Sequence, residues 1–534
     1  MNGAALSPVA RHLARFLGRG DADAELAAAL ACEATQAGHV CADLDQEAGW
    51  GSWAEQMNAA QRAAFRACLP GLEIIGAADD WTPLVWDGRR LYLRRYWDYE
   101  RQVADDLLAR AAPVAPLDAA TAARLDASFA DAGQRAAARV ALTRRLCLIS
   151  GGPGTGKTHT LARIIGLLRT QDGEARIALA APTGKAAARM GEALQAAGSA
   201  MDREGGGAQT LHRLLGMRAD GSGFSRNRER PLAVDVLVVD EASMIDLSLM
   251  AHLLAALPPT ARLILLGDRD QLAAVEAGAV FADLCASPRL ADCVAQLTTS
   301  FRFGGAGGIG RLAGCLRAGE ADGAIDLLRG GGGDLAWQPP GDLRDLVAAV
   351  RAGYRPYLDA VTAGRPAAEL FGAFNRFRAL CAHRQEVAAI NRALAGGDVL
   401  RPAAGLPVLV VRNDPLLRLF NGDIGLLLPD PADGALRVCF AGEGGLRRVA
   451  LARLPAWEPA WAMTVHKSQG SEFDEVLLAM PAAVSSSSIA TRELVYTGVT
   501  RARRRVVLRA GEDALRTAIA SRTERMSGLR DRLQ

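Results

Sequence analysis

Leu146-Cys147-Leu148-Ile149-Ser150 runs straight into Gly151-Gly152-Pro153-Gly154-Thr155-Gly156-Lys157-Thr158, and this stretch decides the fold. The first five residues predict a strand. Thr158–Arg169 places apolar residues at helical spacing and predicts an amphipathic helix. Between them lies the pattern GxxxxGK[ST], a phosphate loop in the context that confirms it. Gly151, Gly152, Pro153, Gly154, Thr155 and Gly156 let backbone N–H groups curl around phosphates, and the helix N-terminus adds its positive end. Lys157 is expected to reach the β- and γ-phosphates of ATP, and Thr158 to ligate Mg²⁺.

Downstream, strands predicted at Ile177–Ala181, Val234–Asp240 and Leu263–Gly267 alternate with helices, which implies a parallel sheet covered by helices. The second of these ends in Asp240-Glu241. Asp240 is expected to hold Mg²⁺ through water, and Glu241 to polarise the attacking water. The third delivers Asp268 and Gln271 at its carboxyl end, where open α/β sheets bind ligands. Gln271 is a candidate to hydrogen-bond either the γ-phosphate or the attacking water. Two arginines, Arg302 in Thr299-Ser300-Phe301-Arg302-Phe303 and Arg501 in Tyr496-Thr497-Gly498-Val499-Thr500-Arg501-Ala502, are candidates for delivery across a cleft to the transferring phosphoryl group.

A chain of 534 residues is too long for one core, since chains beyond roughly 250–300 residues divide, and three or four domains are expected. Residues 1–112 read as a mostly helical domain with a hairpin at 84–93 that turns at Asp87-Gly88. A Pro-containing linker, 111–117, leads into a first α/β lobe at 118–330. Residues 304–345 are Gly-rich and are expected to include a hinge or loop. A second α/β lobe, 346–534, has strands near Ala379–His383, Glu475–Ala479 and Arg505–Leu508. A β-rich segment at about 401–456 interrupts it, with Pro407–Val411, Gly425–Leu428 and Leu436–Phe440 as strands. Ser485–Ser488 reads as a mobile polar loop.

Composition narrows the function. No apolar run approaches the ~20 residues that span a bilayer. Met1–Leu17 lacks a basic head followed by an apolar stretch, so no secretory signal is read. Nine cysteines form no CxxC pair and no zinc spacing, which suits a reduced, cytoplasmic protein. The net charge of +3 means that any nucleic-acid path must be local.

Lysine occurs only at Lys157, Lys185 and Lys467, in a chain whose other basic residues are all arginine. Lysine as a compact point charge in a tight site does not exchange for the larger, planar guanidinium. Two of the three lie in segments suited to holding sugar-phosphate without reading sequence. Pro182, Thr183 and Lys185 form the first such segment, and Thr210 and His212 open a nearby helix. Thr464, His466 and Lys467 form another loop suited to phosphate. Aromatics are only 5% of the chain, so base stacking would rest on a handful of residues.

In order, the phosphate loop, PTGKAA, DEAS, GDRDQL, SFRF, TVHKSQGSEF and YTGVTRA resemble motifs I to VI of superfamily 1 helicases, in the wording of the RecD branch. The resemblance implies an α/β fold of two RecA-like P-loop NTPase lobes, with the β-rich segment an SH3-like insertion. It implies a DNA helicase and DNA-dependent ATPase that moves 5′→3′. Gln134 matches the family's adenine-reading glutamine. Gly38–Leu44 and Leu91–Trp97 are similar to the N-terminal domain of the RecD subunits of RecBCD (exonuclease V), which docks on RecC. That implies a heterotrimer with RecB and RecC, unwinding double-stranded DNA ends for break repair by homologous recombination, with the nuclease in RecB. Gly498 stands where the family often has alanine. A stand-alone 5′→3′ helicase is the alternative enzyme. A non-catalytic ATP-binding regulatory subunit is the alternative of another class, against which intact Lys157, Asp240, Glu241 and Arg501 argue.

Overall fold

The computed structural model describes residues 6–114, 116–196, 207–218, 220–221, 223–303, 307–395, 403–414, 416–442, 445–481 and 490–534. Ser485–Ser488 lie outside the described residues.

Strands that are apolar along their whole length must be covered on both faces, and the first lobe is built that way. Its six-stranded sheet runs Val294–Leu297, Leu146–Gly151, Arg262–Gly267, Val236–Val239, Ile177–Ala181 and Gln209–Thr210, all parallel. The phosphate-loop strand is buried throughout and lies second in this order, so its carboxyl end opens between neighbouring strand ends. The phosphate-loop helix, Lys157–Gln171, buries Leu161, Ile164, Ile165 and Leu168 on one face of this sheet.

The second lobe is a five-stranded parallel sheet in the order Leu335–Gln338, Ala502–Arg509, Phe473–Ala479, Phe377–Cys381 and Ala462–Thr464. The Gly-rich region expected to include a hinge or loop is mostly regular structure. Residues 308–338 form two helices, Gly308–Ala318 and Ala321–Gly330, and then the edge strand of the second sheet. Ile309, Leu312, Leu316, Ile325 and Leu328 recur at helical spacing among the glycines and bury against Val476, Leu494 and Val506. Gly319, at φ 77°, ends the first of these helices rather than loosening it. The lobes therefore change over before residue 308, not between 330 and 346 as read from the sequence.

The β-rich segment is an antiparallel sheet of five strands. Beside Pro407–Val410, Ile424–Pro429 and Leu436–Gly442 it has two that the sequence reading omitted, Gly445–Ala450 and Trp457–Pro459. Its Val408, Leu426 and Phe440 share a core with Tyr354, Phe374 and Leu477 of the second lobe.

The N-terminal region combines the helices Pro8–Gly18, Ala22–Gln36 and Ala59–Cys68 with a four-stranded sheet that contains the expected hairpin, Gly88 at φ 95° making its turn. Its last helix, Arg94–Arg110, lies on the first lobe beside Leu247–Ala256. Arg110 secures that junction by donating to the carbonyls of Leu257, Pro258 and Ala261 at 2.8, 2.9 and 2.9 Å.

The last residues do not stay with the second lobe. After the helix Glu512–Ala520, the chain crosses to the N-terminal region and the first lobe. Glu100, fully buried, takes Arg532 Nε at 3.0 Å, Ser527 Oγ at 2.9 Å and the Gly528 amide at 2.9 Å. Arg530 pairs with Asp283 at 2.7 Å, and Asp531 with Arg90. Arg532 also lies 3.9 Å from the Trp97 ring centre. This terminal strap joins three parts of the molecule. Among the described residues no helix is long and apolar enough to cross a membrane.

Candidate nucleotide site and strand path

The phosphate loop takes its shape from two glycines. Gly154 and Gly156 sit at φ 80° and 77°, a region closed to most side chains, and this turns successive amides inward. Thr155 Oγ1 ties the loop to the Gly152 carbonyl at 2.8 Å. Lys157 Nζ donates to the Gly151 and Gly152 carbonyls at 2.6 and 3.3 Å, which sets the ammonium at the mouth of the loop. Gln134 is buried against it, its Nε2 facing the Thr155 carbonyl at 3.5 Å. Phe301, an exposed ring, lies beside Gly156 and Gln134, and its amide donates to the Gly154 carbonyl at 2.8 Å.

Asp240 and Glu241 end the neighbouring strand. Partial burial, and then the charge of Glu241, push the Asp240 carboxyl up to about 6, against the pull of Lys157. Glu241 adopts φ 53°, a costly conformation for a non-glycine residue and one that recurs at functional sites.

Motif residues of the two lobes meet directly over the loop. Asp268 Oδ2 accepts from Gln271 Nε2 at 2.9 Å and from Tyr496 Oη of the second lobe at 3.0 Å. A Cβ on Gly152 would stand 2.8 Å from that Tyr496 oxygen. The Leu272 amide donates to Thr497 Oγ1 at 3.0 Å, and Gln469 Nε2 donates to the Leu272 carbonyl at 2.9 Å. Arg302 rests against Gly154. Arg501, in contrast, is buried and donates to the Thr497 and Ser471 carbonyls of its own lobe at 3.2 Å each. The structure thus gathers Gln134, Lys157, Thr158, Asp240, Glu241, Gln271 and Arg302 about the loop, with Arg501 one layer back. A Cβ on Gly498 would lie 2.8 Å from Leu478, so glycine lets this helix sit close to its sheet.

The strand-path candidates fall into separate groups. Thr183 Oγ1 accepts from the Ala186 amide at 3.2 Å, and Thr210 Oγ1 from the Arg213 amide at 3.2 Å, so each hydroxyl starts a helix. Gly184, beside Pro182 and Lys185, has both Thr210 and Phe420 of the β-rich insertion for neighbours. Lys185 keeps solvent contact, but crowding by protein and then Arg378 and Arg189 hold its ammonium down at about 8. Lys467, whose amide donates to Thr464 Oγ1 at 3.3 Å, is paired at 2.5 Å with Glu458 of the insertion. Two histidines turn elsewhere. His212 packs on Phe224, and His466 has Arg384 and Arg525 as its charged neighbours.

Sequence reading omitted Tyr496, Thr497, Gln469 and Glu472 as site residues, although all lie inside segments it had singled out. Their roles depend on contacts between lobes that no local pattern encodes.

Comparison with known proteins agrees with this geometry. Residues 134–277 match an AAA domain, 459–509 a UvrD-like helicase C-terminal domain, and 3–92 the N-terminal domain of the RecBCD enzyme subunit RecD. Two parallel-sheet lobes closing on a phosphate loop, with these matches, define an ATP-dependent helicase motor of superfamily 1. The RecBCD enzyme subunit RecD of Mycobacterium tuberculosis (strain ATCC 25618 / H37Rv) is 41% identical, over 98% of this chain and 94% of that protein. The same subunit of Mycolicibacterium smegmatis is 42% identical, over 98% and 96%. The ATP-dependent RecD2 DNA helicase of Deinococcus radiodurans is 34% identical, over 73% of this chain and 50% of that protein. The chain belongs to the RecD family.

Proposed function

We propose that the chain is the 5′→3′ motor subunit of a RecBCD-type helicase-nuclease, acting with RecB and RecC on double-stranded DNA ends in recombinational break repair. The observation that carries the reading is the meeting of the two lobes on the phosphate loop, where Tyr496, Thr497 and Gln469 of one lobe bond Asp268 and Leu272 of the other. A ligand held by both lobes draws them together, and its hydrolysis releases them.

ATP fits the residues present. The amides around Gly154 and Gly156 and the start of the 15-residue helix suit the phosphates, and Lys157 suits the β- and γ-oxygens. Gln134 and the Phe301 ring suit the base. Thr158 and Asp240 would hold Mg²⁺, which supplies charge neutralisation on the phosphate oxygens. Glu241 takes a proton from the attacking water while Gln271 orients it. The water oxygen bonds to the γ-phosphorus, the bond to the bridging oxygen breaks, and ADP and phosphate leave. Arg302 serves the charge that develops on the transferring group, while Arg501, held by carbonyls of its own lobe, supports the helix that carries Tyr496 and Thr497.

Pro182, Thr183, Lys185 and Thr210 on one lobe, and Thr464 and Lys467 on the other, hold sugar-phosphate, so binding is sequence-independent and weakens with salt. Alternate grip by the two lobes turns closure into steps. The N-terminal region and its RecD-type match suit docking on a partner subunit, and nine free thiols suit the cytoplasm. Strand displacement on 5′- and 3′-tailed duplexes, alone and with RecB and RecC homologues, tests the reading. Unwinding of the 5′-tailed duplex and co-purification with both partners support it; 3′-tailed unwinding or failure to associate contradicts it.

A further inference from the structure

Glu472 lies in the second lobe at the start of the strand Phe473–Ala479, with only 9% of its side chain exposed. Three guanidinium groups from three segments converge on it. Arg302 Nη2 reaches Oε1 at 2.7 Å, and Arg189 Nη2 and Arg503 Nε reach Oε2 at 2.6 and 3.1 Å. Burial works against the charge, but Arg189 and Arg302 outweigh it and hold the carboxyl at about 2. The grip on Arg302 is one-sided. Nη2 is bonded, while Nη1 is buried with no hydrogen-bond partner among the described residues. A buried N–H left unpaired is costly, so it is poised for an acceptor. The Arg302 Cβ lies beside Gly154 of the phosphate loop, so the side chain leaves the backbone next to where such an acceptor would bind.

The other arm leads away from the nucleotide. Arg189 is on the helix Gly184–Ala196, whose first turn carries Lys185, and it also faces the Gly470 carbonyl at 3.5 Å. One carboxylate therefore ties the arginine beside the phosphate loop to the helix that begins the strand path.

We propose that Glu472 is a positioning residue that orients Arg302 toward the γ-phosphate and couples that orientation to strand docking through Arg189. The proposal rests on Arg302 acting at the transferring phosphoryl group, and the test is arranged to fail separately on the two points. Steady-state ATP turnover of the full chain is measured with and without a poly(dT) oligonucleotide for E472Q, R302A, R189A and E472Q/R302A. With oligonucleotide present, E472Q is expected to lower kcat about tenfold while KM for ATP moves less than about threefold. R189A is expected to lower the ratio of stimulated to basal turnover. Because Glu472 acts through Arg302, the double variant should be no slower than R302A alone. A merely structural ion-pair hub would give multiplying effects instead. If E472Q fails to fold, E472D, which keeps the charge but shortens the reach to Arg302, replaces it in the cycle. Unimpaired E472Q, or effects that multiply, overturns the positioning role while leaving Arg302 in place. Unimpaired R302A overturns both.

Discussion

Replacing Glu100 with glutamine is expected to release the terminal strap while leaving the two lobes folded. In the structure Glu100 Oε1 accepts from Arg532 Nε at 3.0 Å and Tyr92 Oη at 3.3 Å, and Oε2 accepts from Ser527 Oγ and the Gly528 amide at 2.9 Å each. Glutamine keeps the shape but must turn its NH₂ group toward one of these donor pairs, so two of the four bonds are lost. Hydrogen bonds to a charged group contribute about 1.5–3 kcal/mol each, a gross loss of about 3–6 kcal/mol. A neutral side chain no longer bears the cost of burying a charge, which returns part of that loss. Arg532 is 23% exposed and regains water when its partner goes. A net cost of about 2–4 kcal/mol follows. Each 1.36 kcal/mol is tenfold in an equilibrium, so amide protection over Gly528–Leu533 should fall roughly thirty- to several-hundred-fold in hydrogen exchange. Protection of the strand Leu146–Gly151 should stay within about threefold of the parent. Unchanged exchange at Gly528–Leu533 would mean that the strap is held by something other than this carboxylate.

Three further outcomes follow from single contacts. Lys185 titrates near 8, below the ordinary lysine range, and phosphate binding needs its charged form; single-strand affinity measured by fluorescence anisotropy should therefore weaken several-fold from pH 7 to pH 9, and K185R should remove that loss. Glu458 competes with phosphate for Lys467, both side chains being about a third exposed, so E458A should tighten strand binding by about two- to fivefold at low salt, with no gain in a K467A background. Gly152→Ala would push on Tyr496 Oη and wedge the lobes apart, so ATP turnover should fall at least about tenfold while circular dichroism and melting stay near those of the parent.

The first lobe was legible in the sequence because its evidence is local. An apolar strand, a glycine turn and an amphipathic helix lie end to end at 146–169, and the strands before Asp240 and Asp268 repeat the pattern. The helices within residues 304–345 were hard to read because thirteen glycines are interspersed among the apolar residues there, and only the second sheet reveals that Ile309, Leu312 and Leu316 have a surface to cover. The strands Val294–Leu297 and Gln209–Thr210 were missed because short edge strands carry mixed residues and little periodicity. The rarity of lysine pointed to Lys185 and Lys467, but not to their neighbours, since Glu458 comes from a strand the sequence reading omitted. Glu472 and Glu100 were invisible for a stronger reason. Each gathers partners far away in the chain, 170 residues for Arg302 at Glu472 and 432 for Arg532 at Glu100, and nothing in a local window predicts such meetings.

Movement along single-stranded DNA is measured for the parent and Lys157→Gln by stopped-flow fluorescence of end-labelled oligonucleotides of increasing length. A 5′→3′ motor driven from Lys157 gives an ATP-dependent lag that grows with oligonucleotide length when the label is at the 3′ end, and Lys157→Gln loses at least about a hundredfold in rate with strand binding retained. Length-dependent movement by Lys157→Gln at the parental rate would contradict a motor driven from Lys157.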